Sequence, residues 1–294
     1  RIQREFKTNK PDVVHMHMSY KGSFTRKFFL HKLCKKNGIP DIIHLHGSEF
    51  KKWFDESDDK KKEEIKTLLK ESAGVIVLGD KWKEVVKKIE PTTRAVVVNN
   101  TVRIPNCKVE WNLPITVLFM GVLIKRKGVA DLIRAVDILK KKNRLNNVKF
   151  VIAGSGVEEA ELKTMCKKLE LDKYINFVGW TSGEKKERLF RESQMLVLPS
   201  YNEGLPVSIL EAISYGMPVV ATCVGDISAA IIDGENGYLV EPGDVDALAN
   251  SIYKLISEKA NWQKKSESAR KISISQFDET VFFETILNLY RKME

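Results

Sequence analysis

Ten short apolar runs alternate with amphipathic segments along this chain, and that alternation limits its fold more than any other feature. The runs are 12–16, 41–46, 74–78, 95–98, 115–120, 148–153, 174–178, 195–198, 218–222 and 237–240. Runs such as GVIVL and MLVL lack the polar–apolar alternation of a half-exposed strand. They read as strands buried on both faces, which belong to parallel sheets covered by helices. Helical spacing falls between them, at about 23–37, 60–72, 80–89, 128–142, 157–170, 184–192, 206–215 and 244–257. The pattern predicts an α/β protein.

A chain of 294 residues is long for one core and suits two domains. The segment TVRIPNCKVEWNLP, 101–114, carries two prolines and little periodicity, so it reads as a linker. Domains are expected at 1–110 and 111–277, both doubly wound and Rossmann-like, facing across a cleft. A last amphipathic stretch, 278–292, follows a loop near Ser275, and a helix over 278–294 is expected to pack on the first domain.

Charge narrows the partners. Residues 1–110 hold 24 Lys and Arg against 15 Asp and Glu, a net of +9, while the remainder is nearly balanced. Such an excess suits an anionic membrane surface or an acidic ligand, though mixed runs like KKWFDESDDKKKEE are the usual pattern of a solvated helix face. Neither a zinc finger nor any other nucleic-acid-binding pattern is present, so nucleic acid is not an expected partner. No apolar run reaches the ~18–20 residues that cross a bilayer, and no secretory leader is visible. The four cysteines, Cys34, Cys107, Cys166 and Cys223, are scattered and read as reduced, buried small side chains of a cytosolic protein.

Two of the runs end in His-x-His: His15 with His17, and His44 with His46. Ligands of open α/β sheets bind beyond the carboxyl ends of strands. Residues i and i+2 of a strand share a face, so each pair projects together. A metal site would need adjacent strands and four converging rings, and no carboxylate partner stands at fixed spacing. The favoured reading puts His46, beside Gly47, on a polar pocket rim and gives the other three structural roles. No metal ligand and no cofactor are expected.

The segment PSYNEGLPVSILEAISYGMPVVAT, 199–222, carries the most chemistry. A buried strand ends at Pro199, a loop follows, and Pro206 suits the first turn of a helix that stops at Gly216. Backbone amides at Gly204, Leu205 and the helix start would form an anion site strengthened by the helix dipole. Glu203 precedes those amides, and Glu211 lies about one and a half turns into the helix. A diphosphate at the helix start would have a carboxylate toward each substituent, ready to accept from sugar hydroxyls.

These residues resemble the E-x7-E signature of family 4 (group 1) glycosyltransferases, retaining enzymes of the GT-B fold. The resemblance extends through FMGVLIKRKGVADLIRA (119–135), VIAGSG (151–156), INFVGW (175–180) and VGDISAAIIDGENGYLVEPGD (224–244). It continues more weakly through DVVHMHMS and DIIHLHGSEF. It implies that Glu211 holds the nucleotide ribose, Glu203 the donor sugar, and Lys127 the leaving diphosphate. Gly121, Gly154, Gly179, Trp180, Gly204, Leu205 and Pro206 would complete the donor site, and His46 would match the histidine near the reacting end of the sugar. A metal-binding DxD is not evident, so Lys127 and the helix amides would carry the charge that develops on the departing oxygen.

The implied activity is transfer of a sugar from a nucleotide-diphosphate sugar to a glycan or lipid-linked acceptor. The implied setting is bacterial surface-polysaccharide or glycoconjugate assembly, in the cytoplasm and at the inner face of the membrane. The sequence departs from the family in two ways. Val122 stands where the family usually has Arg, leaving Arg126 or Lys125 to supply the cation. The family's initial strand and glycine-rich loop are not found, so the first domain is expected to be incomplete. The alternatives are a catalytically impaired donor-binding protein or partner subunit, and an isomerase on the same fold.

Overall fold

A computed structural model of the chain describes residues 6, 8–46 and 49–291. The chain divides into two units, one comprising residues up to Asn100 with those from Thr280 onward, the other Thr101–Glu279.

The first unit is built on four parallel strands in the order β1 (Val14–Met18), β2 (Asp41–Leu45), β3 (Gly74–Val77) and β4 (Ala95–Val97). The connecting helices are α1 (Gly22–Lys36), α2 (Phe50–Glu56), α3 (Asp59–Glu71) and α4 (Asp80–Ile89). Helix α3 begins at Asp58, whose side chain accepts from the Lys61 amide at 2.7 Å and satisfies a donor the helix cannot pair internally. One sheet face packs Met16, Ile43, Leu45 and Val75 against Phe24, Phe50 and Leu68. The other face, carrying Ile42, Ile76 and Val98, is covered by Ile286 and Phe282 of the helix Glu279–Arg291. That helix thus completes a core begun at the opposite end of the sequence.

The first strand spans Val14–Met18 rather than 12–16, so His15 and His17 lie within it and not beyond its end. Gly47, beside His46 in the pocket-rim reading above, lies outside the described residues. The mixed-charge run resolves into α2 and α3, and α2 was not visible in the periodicity.

The second unit holds β5 (Ile115–Met120), α5 (Val129–Lys141), β6 (Val148–Ala153), α6 (Glu159–Lys168), β7 (Ile175–Gly179) and α7 (Gly183–Glu192). These are followed by β8 (Met195–Leu198), α8 (Val207–Ser214), β9 (Val219–Thr222), α9 (Ile227–Ala230), β10 (Gly237–Val240), α10 (Val245–Ile256) and α11 (Lys259–Gln276). The strands pair in the order β10-β9-β8-β5-β6-β7, all parallel. Numbered from β5, that is the doubly wound order of a dinucleotide-binding fold, with its direction reversing between β5 and β8. Every residue of β5, β8 and β9 is buried, as their unbroken apolar runs require. Leu118 on central β5 has no exposure, and truncating such a side chain to Ala costs ~2–5 kcal/mol.

Two sequence expectations change here. Thr101–Glu110, grouped above with the first domain, is tied to the second unit. The Val102 amide donates to Phe277 O and the Val109 amide to Tyr215 O, each at 2.9 Å, and the Arg270 guanidinium donates to the carbonyls of Pro105 and Ser214. The region around Ser275 is helix α11, not loop. Its buried stripe includes Lys265, Ser266 and Ser273 beside Trp262, Ala269 and Ile272, so an apolar count misses the face. Lys265 is buried because its ammonium donates to the Gly234 carbonyl at 2.6 Å.

Cys34 and Cys166 are buried, and burial, with Asp41 and Asp172 respectively nearby, pushes each thiol up to about 11. Cys107 and Cys223 are exposed, against the expectation that all four are buried. No described helix is long and apolar enough to cross a membrane.

Candidate active site

The site of the second unit lies where its sheet changes direction. Strands β5 and β6 end at Met120 and Ala153, and the glycines that follow, Gly121 and Gly154, are pressed together. A Cβ on Gly154, whose φ is +148°, would lie 1.8 Å from Gly121 O, so no side chain fits there. After Gly121 a single 3-10 turn, Lys125–Lys127, places two cations beside the loop that leaves β8. Gly128 holds that approach: its φ is +67°, and a Cβ would lie 2.0 Å from Pro199 O. The KG pair is therefore a packing requirement as well as a source of charge.

The loop after β8 delivers Glu203, and Pro206, with φ −66°, stands immediately before the first turn of α8. The Ile209 amide is the first to close onto Pro206 O, at 3.1 Å. The preceding amides of Val207 and Ser208 lie at the positive end of the helix dipole, beside the pocket their residues line. Glu211 is the fifth residue of α8.

A pocket of about 330 Å³ forms at this point, lined by Gly121, Lys127, Gly154, Trp180, Glu203, Pro206 and Glu211 among the residues expected from sequence. Val122, Arg126, Lys186 and Ser208 also line it. Of the expected residues of this unit, Gly179, Gly204 and Leu205 do not. The Leu205 side chain is buried in the core. Gly204 lends its carbonyl to the Asp226 amide at 3.1 Å, and Gly179, with φ +70°, turns the chain toward Trp180.

Charge inside the pocket is arranged in pairs. Lys127 Nζ lies 2.5 Å from Glu203 Oε1, and both side chains are nearly buried, at 12% and 8% exposure. Arg126 Nη1 lies 3.7 Å from Glu203 Oε2 and donates to Asn202 O at 2.9 Å. Lys186 Nζ lies 2.6 Å from Glu211 Oε1. Three cations thus face two carboxylates, and the lining is net cationic. Arg126 and Val122 both line the pocket. Lys125 is not among the lining residues.

Lys186 escaped the sequence reading because EKKER on α7 resembles any solvated helix face. The segment Thr101–Asn106 escaped it as well. It lines an adjoining pocket of about 470 Å³ that shares Lys186, Val207 and Glu211 with the first. It has neither a strand nor a helix period, so its sequence reads only as a linker.

His46 belongs to the first unit, at the end of β2. It is one of four stacked imidazoles. Parallel pairing sets His17 beside His44, and His15 shares their face of the sheet. His17 and His46 are ring-stacked at 5.0 Å, with His17 Nδ1 2.8 Å from His46 Nε2. His15 Nε2 lies 3.3 Å from His44 Nδ1, while its Nδ1 lies 2.6 Å from Tyr290 OH. Burial, then repulsion from the neighbouring imidazoles, holds His44 down to about 3 and His46 to about 4, and lowers His15. The fifth histidine, His31, is separate. Burial lowers its pKa, but hydrogen bonds to Asp41 and Glu71 outweigh that and raise it.

Two Rossmann-like units of parallel sheet, the second with a pocket at its switch point, are the elements of the GT-B fold. The profile of the family described as Glycosyl transferases group 1 matches residues 108–273, more than half of the chain. The chain belongs to that family. An uncharacterised glycosyltransferase of Haemophilus influenzae is 31% identical over 159 residues, covering 54% of this chain and 44% of that protein. The chain therefore spans less than half the length of that relative. The 2-deoxystreptamine N-acetyl-D-glucosaminyltransferase of Niallia circulans is 25% identical over 98% of this chain and 78% of its own length. Among solved structures, Anabaena HepE, in complex with UDP, superposes with a TM-score of 0.84 at 18% identity, covering 99% of this chain and 81% of that one. That similarity is one of fold.

Proposed function

We propose that this chain binds a nucleoside-diphosphate sugar in the pocket of its second unit and transfers the sugar, with retention, to a glycan or lipid-linked acceptor. The observation that carries the reading is the placement of Glu203 and Glu211 on either side of the α8 N-terminus, each paired with a lysine in one pocket. A diphosphate seated at the Val207 and Ser208 amides would attract Lys127 and Arg126 away from Glu203. The released carboxylate could then accept from a sugar hydroxyl, and Glu211, oriented by Lys186, from the ribose.

In the transfer the acceptor oxygen bonds to the anomeric carbon as the bond from that carbon to the phosphate oxygen breaks. The acceptor proton passes to the departing diphosphate. Lys127, Arg126 and the helix amides stabilise the negative charge where it builds, so this chemistry is proposed to need no metal. The Anabaena structure with UDP and the Niallia aminosugar transferase support a nucleotide-sugar donor. The net +9 of residues 1–110 supports work beside an anionic membrane face, in surface-polysaccharide or glycoconjugate assembly.

A panel of nucleotide sugars in thermal shift, followed by transfer assays with the tightest donor, tests the reading. Glu211→Ala should weaken nucleoside diphosphate binding by ~1.5–3 kcal/mol, the range for a hydrogen bond to a charged group. His46→Ala, altering the residue that the resemblance assigns to the sugar, should lower turnover and leave that affinity alone. Equal nucleotide affinity for wild type and Glu211→Ala in calorimetry would remove the central assignment.

A further inference from the structure

His15, His17 and His44 of the first unit's imidazole cluster have no role in the transfer just described, and their nitrogens converge in a way that stacking alone does not explain. We propose that His15, His17 and His44 bind one borderline divalent transition-metal ion, of the Zn²⁺, Co²⁺ or Ni²⁺ class, on the face of the first sheet. The proposal is independent of the transferase reading.

Backbone geometry brings the ligands together. The β1–β2 register sets His17 against His44, and the two-residue period of β1 puts His15 on the same face. One nitrogen from each of the three rings lies within 4.8 Å of the other two. Two nitrogens on a tetrahedral zinc, each at ~2.0–2.1 Å from the ion, stand ~3.3–3.4 Å apart. His15 Nε2 and His44 Nδ1 already stand at 3.3 Å. The remaining contraction falls to His17, the exposed member of the three.

The surroundings match the second requirement of a metal site, fixed ring tautomers. When His15 Nδ1–H donates to Tyr290 OH, 2.6 Å away, Nε2 is left as a bare lone pair facing His44. His46 does the same service for His17, holding its Nδ1 at 2.8 Å.

The donor set selects the ion. All three ligands are imidazoles, and no carboxylate or thiolate is found bonded to them among the described residues. Such a set suits zinc, cobalt, nickel and copper and is a poor match for magnesium, calcium or manganese, which prefer oxygen. Three imidazoles leave a fourth tetrahedral position for water.

The test uses untagged protein stripped with chelator and dialysed. Co²⁺ titration followed by visible absorption, with Zn²⁺ calorimetry alongside, should show one equivalent bound and no thiolate charge-transfer band. His17→Ala and His15→Asn should each weaken binding at least tenfold, whereas the double change Cys107→Ser/Cys223→Ser should leave it intact. Because His17 is exposed, its replacement should keep the metal-free melting temperature. Zn²⁺ should raise the melting temperature of wild type but not of His17→Ala. Absence of stoichiometric binding, binding that survives both histidine changes, or binding lost with the cysteines would each overturn the proposal.

Discussion

Removing the Lys127 ammonium tests whether the second unit's pocket is held together by its own ion pair. Lys127→Met keeps most of the aliphatic bulk and leaves Glu203, 8% exposed, with only Arg126 at 3.7 Å. Breaking a fully buried pair from one side costs ~3–5 kcal/mol, because the remaining charge stays desolvated. Here Arg126 remains and Lys127 is slightly exposed, so the cost should fall to ~2–4 kcal/mol. For a unit of this size each kcal/mol shifts the melting point by ~2–4 °C, which predicts a fall of ~4–16 °C in the second-unit transition. Glu203→Gln removes the stranded charge. In the double variant most of the loss should return, with a coupling energy of ~1–3 kcal/mol. Calorimetric scans of the four proteins without nucleotide give the cycle directly. Losses that simply add, with coupling below ~0.5 kcal/mol, would show that the pair is not closed in solution and that Glu203 is not held by Lys127.

Three further outcomes are expected. Acidification should destabilise the first unit, since the neutral forms of His44 and His46 are favoured by folding. Their contribution is complete above the unfolded pKa near 6.5 and is lost as pH falls toward the folded values of about 3 and 4. From pH 6.5 to 5 the loss from buried His44 alone is ~2 kcal/mol. His31 works in the opposite sense, since its raised pKa gives stability that is present below 6.5 and lost as pH rises through the folded value. A first-unit melting temperature that stays level from pH 7 to 5 would contradict this. Chelator should leave nucleotide-sugar affinity unchanged even if it strips an ion from the histidine cluster; affinity lost in EDTA and restored by a divalent ion would refute the lysine-and-amide account. Vesicle binding should rise with anionic lipid content and weaken as salt shortens the Debye length to ~8–10 Å; equal binding to neutral vesicles would leave only a solvated basic surface.

The sheets were legible because parallel strands buried on both faces must be written as apolar runs. Those of β5, β6, β8 and β10 match the structure residue for residue. The residues that line the second unit's pocket were half legible: the Glu203–Glu211 segment follows a strand end, whereas Gly121 and Lys127 were named only through the family resemblance. Helix α11 was not, since its inward face is half polar and depends on a carbonyl, Gly234 O, more than 30 residues distant in sequence. Lys186 was not assigned with the site, and Arg126 was named only as an alternative to Lys125, because only the fold selects among so many surface cations. The histidine cluster was half legible. His-x-His announces a shared face, but that the two pairs lie side by side is a fact of register, and register is set by the whole sheet.

The helix Glu279–Arg291 gives the first unit a particular dependence on the order of synthesis. His15 and Tyr290, which meet at 2.6 Å, are separated by 275 residues of chain. Until that helix emerges, Ile42, Ile76 and Val98 present an uncovered apolar face. The second unit, whose residues are all made in between, can close its core first. Closure of so long a loop is entropically slow, so the early sheet waits in a state prone to association. A nascent chain of this protein is thus expected to hold a chaperone on its first sheet, releasing it only after the segment around Ile286 has left the ribosome.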